Sequence, residues 1–210
     1  TMFTNEKPGG HGERSVAMRG REREALMPAV ADLLAEQGIP VRGVGRVVCG
    51  AGPGSFTSLR IAGGIAKGIA MAVGVPLVPV SSLALLVASQ SPMASGRCLG
   101  AIDALRGEHY VALFDVESGD AVSVTPVGPT TLIASTEVER FAADLNARVI
   151  GFGGTTSGAT EPRARAAALL TKLIDATAPA DLAGWEPAYG RLAEAQVKWE
   201  AAHGRPMTSA

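Results

Sequence analysis

The chain has 210 residues, enough for one large domain or two small ones with a core that folds by itself. Apolar residues make up 47% of it and charged residues 19%, a composition that excludes an intrinsically disordered protein. The formal net charge of −1 argues against a protein that grips nucleic acid alone, because binding to phosphates needs a concentrated basic surface.

The cysteines and the apolar runs indicate the cellular compartment. Cys49 and Cys98 are both flanked by apolar residues, which is typical of buried thiols in a reducing compartment; a disulfide or a catalytic thiol is the alternative. No apolar run reaches the roughly 20 residues that span a bilayer. The first residues also lack the charged-then-apolar pattern of a signal peptide. We therefore expect a cytoplasmic protein that has no membrane partner.

The first half of the chain predicts alternating helices and strands. The first helix is expected to end at Gly38, and Pro28 is tolerated in it only near the first turn or at a kink. Ser81 or Ser82 can cap the third helix. In chain order the predicted elements are a helix at 21–37, a strand at 45–49, a helix at 55–73, a strand at 76–80 and a helix at 82–90.

The second half predicts a strand meander followed by helices. A link at 89–97 precedes it, and the two halves together indicate an α/β protein of two lobes. We expect a first lobe at 1–97, a smaller lobe at 98–188, and a C-terminal helix within 189–210 that can return to the first lobe. The predicted elements are strands at 98–104, 109–116, 121–127 and 147–152, a helix at 137–145, a loop at 153–158, an alanine-rich helix ending near 177 and a last helix at 191–203.

The first two predicted helices are apolar on more sides than one sheet can cover. A helix that lies on a sheet needs only one apolar face. Glycines at 63, 64 and 68 leave the second helix with little bulk, so another backbone can approach it closely. Packing within a single core explains this pattern, and so does an outer face that a partner or a second copy buries. The sequence leaves both interpretations open.

A glycine-rich loop, GAGPGSFTSLR at 50–60, lies between the first predicted strand and the second helix. Its glycines permit tight or positive-φ backbone, and Ser55 or Thr57 can cap the helix that follows. Backbone N–H groups at such a helix start can hold an anion. The Walker A arrangement and the GxGxxG spacing are both absent, so the loop is weak evidence for phosphate binding, and a sharp turn needed for close packing is the alternative.

The loop and its flanks resemble one family closely. The string GPGSFTSLRIAGGIAKGIA is similar to the G-P-G-S-F-T-G-x-R helix start of the TsaB (YeaZ) family. The similarity extends to REREALMPAVADLLAEQGI, VPLVPVSSLALLV, AIDALRGEHYVALF and the C-terminal EPAYGRLAEAQVKWE. It covers residues 21–115 well and the last 25 moderately.

This resemblance implies a shortened, degenerate form of the actin-like, hexokinase-like ATPase (ASKHA) fold. It also implies a non-catalytic scaffold that binds TsaD, the related catalytic subunit that transfers threonylcarbamoyl to adenosine at position 37 of tRNA. The ATPase TsaE and the tRNA itself are then reached only through the complex. Family members also self-associate, and a junction with TsaD is a candidate site for ATP or ADP.

The site residues follow from the resemblance. It implies no catalytic residue and no metal ligand in this chain. The candidate partner interface consists of Met27, Val30, Leu34, Ile61, Ile65 and Ile69. The candidate nucleotide contacts in the loop are Gly52, Pro53, Gly54, Ser55, Phe56, Thr57 and Arg60.

The sequence departs from the family pattern in three places. The apolar first strand ending in Asp-Thr, with which the family opens, is absent from residues 1–20, so we expect a first lobe without it. Ser58 stands where the family has glycine. In the hairpin, Leu105 stands where the family has arginine two places after the aspartate, and Arg106 follows it.

Three alternatives to a scaffold stay open. A peptidase would need a nucleophile with a base, and neither the GxSxG pattern nor such a pair is evident. A kinase of the same fold would need the Asp-Thr strand, and a structural homodimer would have no role in tRNA modification. His11, His109 and His203 show no metal-binding spacing, and we expect each at the surface.

Overall fold

The computed structural model describes residues 12–16, 25–119, 122–152, 160–190 and 203. Its helices are α1 (Leu26–Glu36), α2 (Phe56–Val73), α3 (Ser82–Ala88), α4 (Val138–Asp144) and α5 (Thr171–Ala176). Its strands are β1 (Val47–Gly50), β2 (Leu77–Val80), β3 (Gly96–Asp103), β4 (Glu108–Glu117), β5 (Ser123–Pro126), β6 (Thr131–Ala134) and β7 (Arg148–Phe152). Three 3-10 turns lie at Val41–Gly43, Ser135–Glu137 and Ala164–Leu169.

Within the described residues the first sheet contains β1 and β2, which run parallel with Val47 opposite Leu77. Parallel neighbours need a long crossover connection, and α2 provides it. Both strands read as continuous apolar runs because helices cover parallel strands on both faces. The loop between β1 and α2 therefore leaves the carboxyl end of a buried strand.

The second sheet is mixed and has the order β5-β4-β3-β7, with β6 also paired to β4. Strands β3 and β4 form an antiparallel hairpin, and β7 runs parallel to β3. Strand β4 is long enough to pair with β5 through one half and with β6 through the other. One face of this sheet packs on α3 and α5, and the other packs on α4.

Among the described residues, three buried clusters make up the core. The second sheet and α3 dominate the largest cluster, which also takes Val48, Val78 and Val80 from the first sheet. A second cluster joins α1 and α2 to β1 and β2. The third lies under α4. Cys49 and Cys98 are free and buried in this core, so the prediction of buried thiols is confirmed.

Several predicted elements need correction. Strand β3 begins at Gly96, inside the expected link, and β6 was not predicted. The alanine-rich stretch is not one helix but the 3-10 turn Ala164–Leu169 followed by α5, because Leu170 has left the helical region (φ −104°, ψ 21°). Pro28 lies in the first turn of α1, where no intrahelical N–H is lost. The loop at 153–158, and the last helix at 191–203 apart from His203, lie outside the described residues.

Among the described residues, α2 is the one helix long and apolar enough to cross a membrane, judged by length and composition alone. Core helices of soluble proteins meet the same criteria. This helix carries Arg60 and Lys67, and its buried positions pack on β1, β2 and α1. Packing inside the molecule therefore accounts for much of its apolar character.

Candidate functional site

The glycine-rich loop is tied to β2 and to the start of α3. The amide of Ala51 donates to the carbonyl oxygen of Val80 (2.7 Å), and the carbonyl oxygen of Gly52 accepts from the amide of Ser82 (2.9 Å). Gly52 has φ +96°, a conformation that favours glycine, and the Gly52–Pro53 peptide bond is cis. Hydrogen bonds thus hold the loop in place, and some of its backbone N–H and C=O groups are already paired within the chain.

The start of α2 is not capped as the sequence predicts. Ser55 occupies the cap position, but its side chain makes no capping hydrogen bond and lies 3.3 Å from the hydroxyl of Ser58. The expected capping by Ser55 or Thr57 is therefore wrong. For α3 the expectation is confirmed, because the hydroxyl of Ser81 accepts from the amide of Leu83 at 3.2 Å.

Residues 180–190 cross α2 and the loop, and we call them the strap. At its beginning, the amide of Ala180 donates to the carbonyl oxygen of Leu77 (2.8 Å). In its middle, Nζ of Lys67 donates to the carbonyl oxygen of Trp185 (2.9 Å). Near its end, the amide of Ala188 donates to the carbonyl oxygen of Ala51 (2.7 Å). Three hydrogen bonds therefore hold the strap to β2, α2 and the loop.

An aromatic contact joins the end of the strap to the first turn of α2. The rings of Phe56 and Tyr189 lie 4.6 Å apart between centroids, tilted by 50°. The guanidinium carbon of Arg60 lies 5.4 Å from the centroid of Phe56, within cation–π distance. Burial, and then the negative charge of Glu186, raise the pKa of the Tyr189 phenol, while Arg60 opposes them. The strap thus follows the loop from Ala51 to the helix start.

A nucleotide phosphate does not fit against Gly52 as the loop stands. A Cβ built on Gly52 would lie 2.1 Å from the carbonyl oxygen of Ala188, so strap backbone fills the space beside it. That carbonyl oxygen would also repel a phosphate oxygen, since both are acceptors. Pro53 is buried and Gly54 half-buried, whereas Ser55, Thr57 and Arg60 are exposed. Three of the seven predicted loop residues are thus exposed to solvent, and their contact with a nucleotide stays a prediction.

The six predicted interface residues divide into two groups. Val30, Leu34 and Ile69 are 7%, 4% and 9% exposed, and all three belong to the second core cluster. Their side chains face the inside of the chain, which corrects their assignment to a partner surface. Met27 is 46% exposed, and Ile61 and Ile65 are half-buried.

Among the described residues, one side of α2 is uncovered, and we call Gly64, Gly68, Met71 and Ala72 the outward face. Apart from the backbone of the helix itself and the chain neighbours, no described atom lies within 4 Å of where a Cβ would sit on Gly64 or Gly68. Met71 is 66% exposed, and Ala72 is exposed as well. The sequence analysis did not single out Met71. The spacing of the buried positions at 59, 63, 66 and 70 was the signal that could have placed it opposite the core.

A histidine and a tyrosine on β4 have buried atoms without partners. His109 is 2% exposed, so its predicted surface position is wrong. Its Nδ1 lies 2.8 Å from the hydroxyl of Ser135, and its Nε2 has no hydrogen-bond partner among the described residues. The same holds for the hydroxyl of Tyr110, whose pKa burial raises. In the part of the chain that the structure describes, no three His, Cys, Asp or Glu side chains cluster as metal ligands would.

The hairpin between β3 and β4 carries the departures at Leu105 and Arg106. Both residues have positive φ, 62° and 57°, in the left-handed region that non-glycine residues rarely adopt. A carboxylate oxygen of Asp103 accepts from the amide of Leu105 at 2.7 Å, which stabilises the turn. Leu105 is 71% exposed. The aspartate thus closes the turn through the backbone amide at position 105, and the side chain of Leu105 takes no part in that hydrogen bond.

Comparison with known proteins gives the family. A family model described as TsaD, tRNA N6-adenosine threonylcarbamoyltransferase, matches residues 18–156. The tRNA threonylcarbamoyladenosine biosynthesis protein TsaB of Bacillus subtilis is 32% identical over 190 residues, which cover 82% of this chain and 81% of that protein. The chain belongs to the TsaB family. The TsaB protein of Escherichia coli is 38% identical over 91 residues, or 42% of this chain and 39% of that protein.

Solved structures agree with the fold of the TsaB family. YeaZ from Pseudomonas aeruginosa superposes with a TM-score of 0.62 at 25% identity, over 80% of this chain and 84% of that one. A second Pseudomonas aeruginosa structure, described as an uncharacterized protein with similarity to peptidase YEAZ, gives 0.61 at 24% identity, over 80% and 83%. The first prediction made from the loop string, membership of the TsaB family, is confirmed.

Proposed function

We propose that this chain is a non-catalytic scaffold subunit of the bacterial system that forms threonylcarbamoyladenosine on tRNA, and that it acts by binding TsaD. The names of its relatives in three bacteria support a place in that biosynthesis. The match of the TsaD model to residues 18–156 supports descent from a common fold with the catalytic subunit. We infer that this fold is a reduced form of the actin-like ATPase fold, and that the chain works in the cytoplasm.

The outward face of α2 carries the proposal. Gly64 and Gly68 are one turn apart, and the absence of a Cβ lets a partner helix approach the backbone closely. Met71 supplies exposed apolar area beside them, and Met27 supplies more on α1. We propose that a partner protein covers this exposed apolar surface. The proposed interface therefore keeps Met27, Ile61 and Ile65 and adds Gly64, Gly68 and Met71.

Catalysis by this chain is poorly supported. A serine peptidase needs a nucleophile, a base and a group that orients the base. The described residues hold one such contact, Ser135 with His109, but the histidine ring is buried and its second nitrogen has no orienting partner there. With a net charge of −1, the chain is expected to reach tRNA and TsaE only within the complex. Any ATP or ADP is assigned to the junction with TsaD.

The first experiment is co-purification of the chain with a cognate TsaD, followed by size exclusion with light scattering. We expect a stoichiometric heterodimer. Gly68→Leu should abolish the complex because its side chain would stand between the two helices, while the melting temperature of the free chain stays the same or rises, since leucine favours a helix over glycine. Ala143→Leu is the matched control, since Ala143 is an exposed residue of α4, away from this face.

The possible results of this experiment test the scaffold function and the proposed interface separately. A well-folded wild-type chain that ignores TsaD would contradict the scaffold proposal, and a stable homodimer in its place would favour the structural alternative. Binding that survives Gly68→Leu would leave the scaffold in place but refute the outward face as its interface. Loss of binding in Ala143→Leu as well would show that the assay reports folding.

A further inference from the structure

Two glycines of this chain are required by the strap. A Cβ on Gly52 would meet the carbonyl oxygen of Ala188 at 2.1 Å, and one on Gly63 would meet Cγ of Pro187 at 3.0 Å. Each has a neighbouring glycine with room for a side chain. At Gly54 a Cβ would make only ordinary contact with Leu59, at 3.9 Å, and at Gly64 it would meet no described atom within 4 Å. The glycines that have no room for a Cβ are therefore the two that the strap contacts, while their neighbours Gly54 and Gly64 have room.

The polar contacts of the loop and α2 are also made with the strap. The carbonyl oxygen of Ala51 accepts from the amide of Ala188, and Nζ of Lys67 donates to the carbonyl oxygen of Trp185. Lys67 is half-buried on a largely apolar helix, and the backbone carbonyl oxygen of Trp185 accepts a hydrogen bond from its ammonium group there. Beyond the loop, Gly190 lies against the ring of Tyr110, since a Cβ on it would come within 2.5 Å of that ring. The strap thus reaches from β2 to the second sheet.

We propose that the glycine-rich loop is the seat of the chain's own strap, and that the strap and a phosphate group exclude one another at this loop. The loop has the glycines and the helix start of a phosphate cradle, but strap backbone occupies the position beside Gly52. While the strap lies on the loop, the loop is therefore closed to a phosphate group. The inference goes beyond the scaffold function and does not depend on it, because it concerns contacts within one chain.

The test follows hydrogen exchange of the Ala188 amide, which is protected only while the strap is seated. In the wild-type chain and in Gly54→Ala we expect the same slow exchange. Gly52→Ala should speed this exchange about tenfold or more, since the new methyl group overlaps the carbonyl oxygen of Ala188 and the positive φ of Gly52 disfavours alanine. The positive φ adds to the effect of the strap in this variant, and the pair Gly63→Ala and Gly64→Ala is free of it. Equal protection of Ala188 in the Gly52→Ala and Gly54→Ala variants would overturn the proposal.

A second pair of variants covers the case in which Gly52→Ala fails to fold. Alanine is favoured over glycine inside a helix, so Gly64→Ala should keep or raise the melting temperature. Gly63→Ala gains the same propensity but presses on Pro187, and it should melt below Gly64→Ala and exchange Ala188 faster. If the two variants match in both measurements, the strap does not set the identity of Gly63 and the proposal fails.

Nucleotide exclusion is tested on the wild-type full-length chain with magnesium ADP, magnesium ATP and inorganic phosphate. We expect millimolar concentrations of each to leave the exchange of Ala188 and of the loop amides unchanged. A ligand that protects the loop only by releasing Ala188 would also support mutual exclusion. Protection of the loop amides while Ala188 stays protected would refute it, because phosphate and strap would then be bound together.

Discussion

Helix α1 allows a direct test of whether the first sheet and its helices are stable without a partner. Leu34 is 4% exposed and packs in the second core cluster, whereas Met27, two turns earlier on the same helix, is 46% exposed. We therefore compare Leu34→Ala with Met27→Ala in the free chain. Both substitutions remove three heavy atoms and place a good helix former, so the comparison isolates the difference in burial.

The expected magnitudes follow from that burial. Removing three buried carbons at about 0.8 kcal/mol each costs about 2.4 kcal/mol in transfer free energy. A cavity that the neighbours do not fill adds to this, so Leu34→Ala should cost between about 2.4 and 5 kcal/mol. Met27→Ala loses about half of a similar transfer term and leaves no enclosed cavity, so about 1 kcal/mol is expected. A domain is stable by only about 5 to 15 kcal/mol, which makes the first loss severe.

Urea unfolding, followed by circular dichroism, measures both changes. The midpoints should shift while the slopes stay equal, because the area exposed on unfolding is the same. Losses of equal size in the two variants would refute the assignment of Leu34 to an internal core. A loss below about 1 kcal/mol for Leu34→Ala would do so too, and would return this residue to the partner surface.

Three further predictions concern buried polar groups. Tyr110→Phe removes a hydroxyl without a described partner and should leave the melting temperature unchanged or higher; a clear decrease would reveal a hidden partner. Ser135→Ala should cost about 1 to 3 kcal/mol in thermal unfolding, because buried His109 loses its one described hydrogen bond, whereas an unchanged value would deny that bond any weight. Burial raises the pKa of the Cys49 thiol above its usual 9.0, so the folded state retains a proton that the unfolded state releases. The free energy of unfolding should therefore be insensitive to this group below pH 9.0 and decrease above it, and native Cys49 should react with thiol reagents far more slowly than the unfolded chain; rapid native labelling would contradict this.

Local patterns were enough to predict most elements of the fold. Helix α2 and strands β1 and β2 were predicted to within two residues, since strong apolar runs are bounded there by glycine and proline. Strand β6 was missed because Thr131–Ala134 is only four residues long, and its sequence TLIA shows no alternation of apolar and polar residues. The break at Leu170 was missed because alanine favours a helix wherever tertiary contacts do not intervene.

The candidate site was harder to predict than the fold. Val30, Leu34 and Ile69 form credible outward stripes in sequence, and only the position of the strap and of α1 shows that they face the core. The strap itself has no regular pattern, because its hydrogen bonds join residues 51, 67 and 77 to residues more than 100 positions later. Contacts at that distance leave no periodic signal in a single sequence. The positions of the glycines reflect these long-range contacts, but the sequence alone could not identify the segment that approaches each glycine.

The apolar character of α2 has three separate causes, one for each side of the helix. Leu59, Ala66 and Ile69 are apolar because they are buried in the chain's own core. Gly63 is small because Pro187 of the strap lies against it, and this side is already covered. Only Gly64 and Gly68 are small without a described neighbour, although alanine would suit a solvent-exposed helix better by about 1 kcal/mol at each position. A cost that nothing within the described residues offsets is the physical reason to propose a partner on this side of the helix.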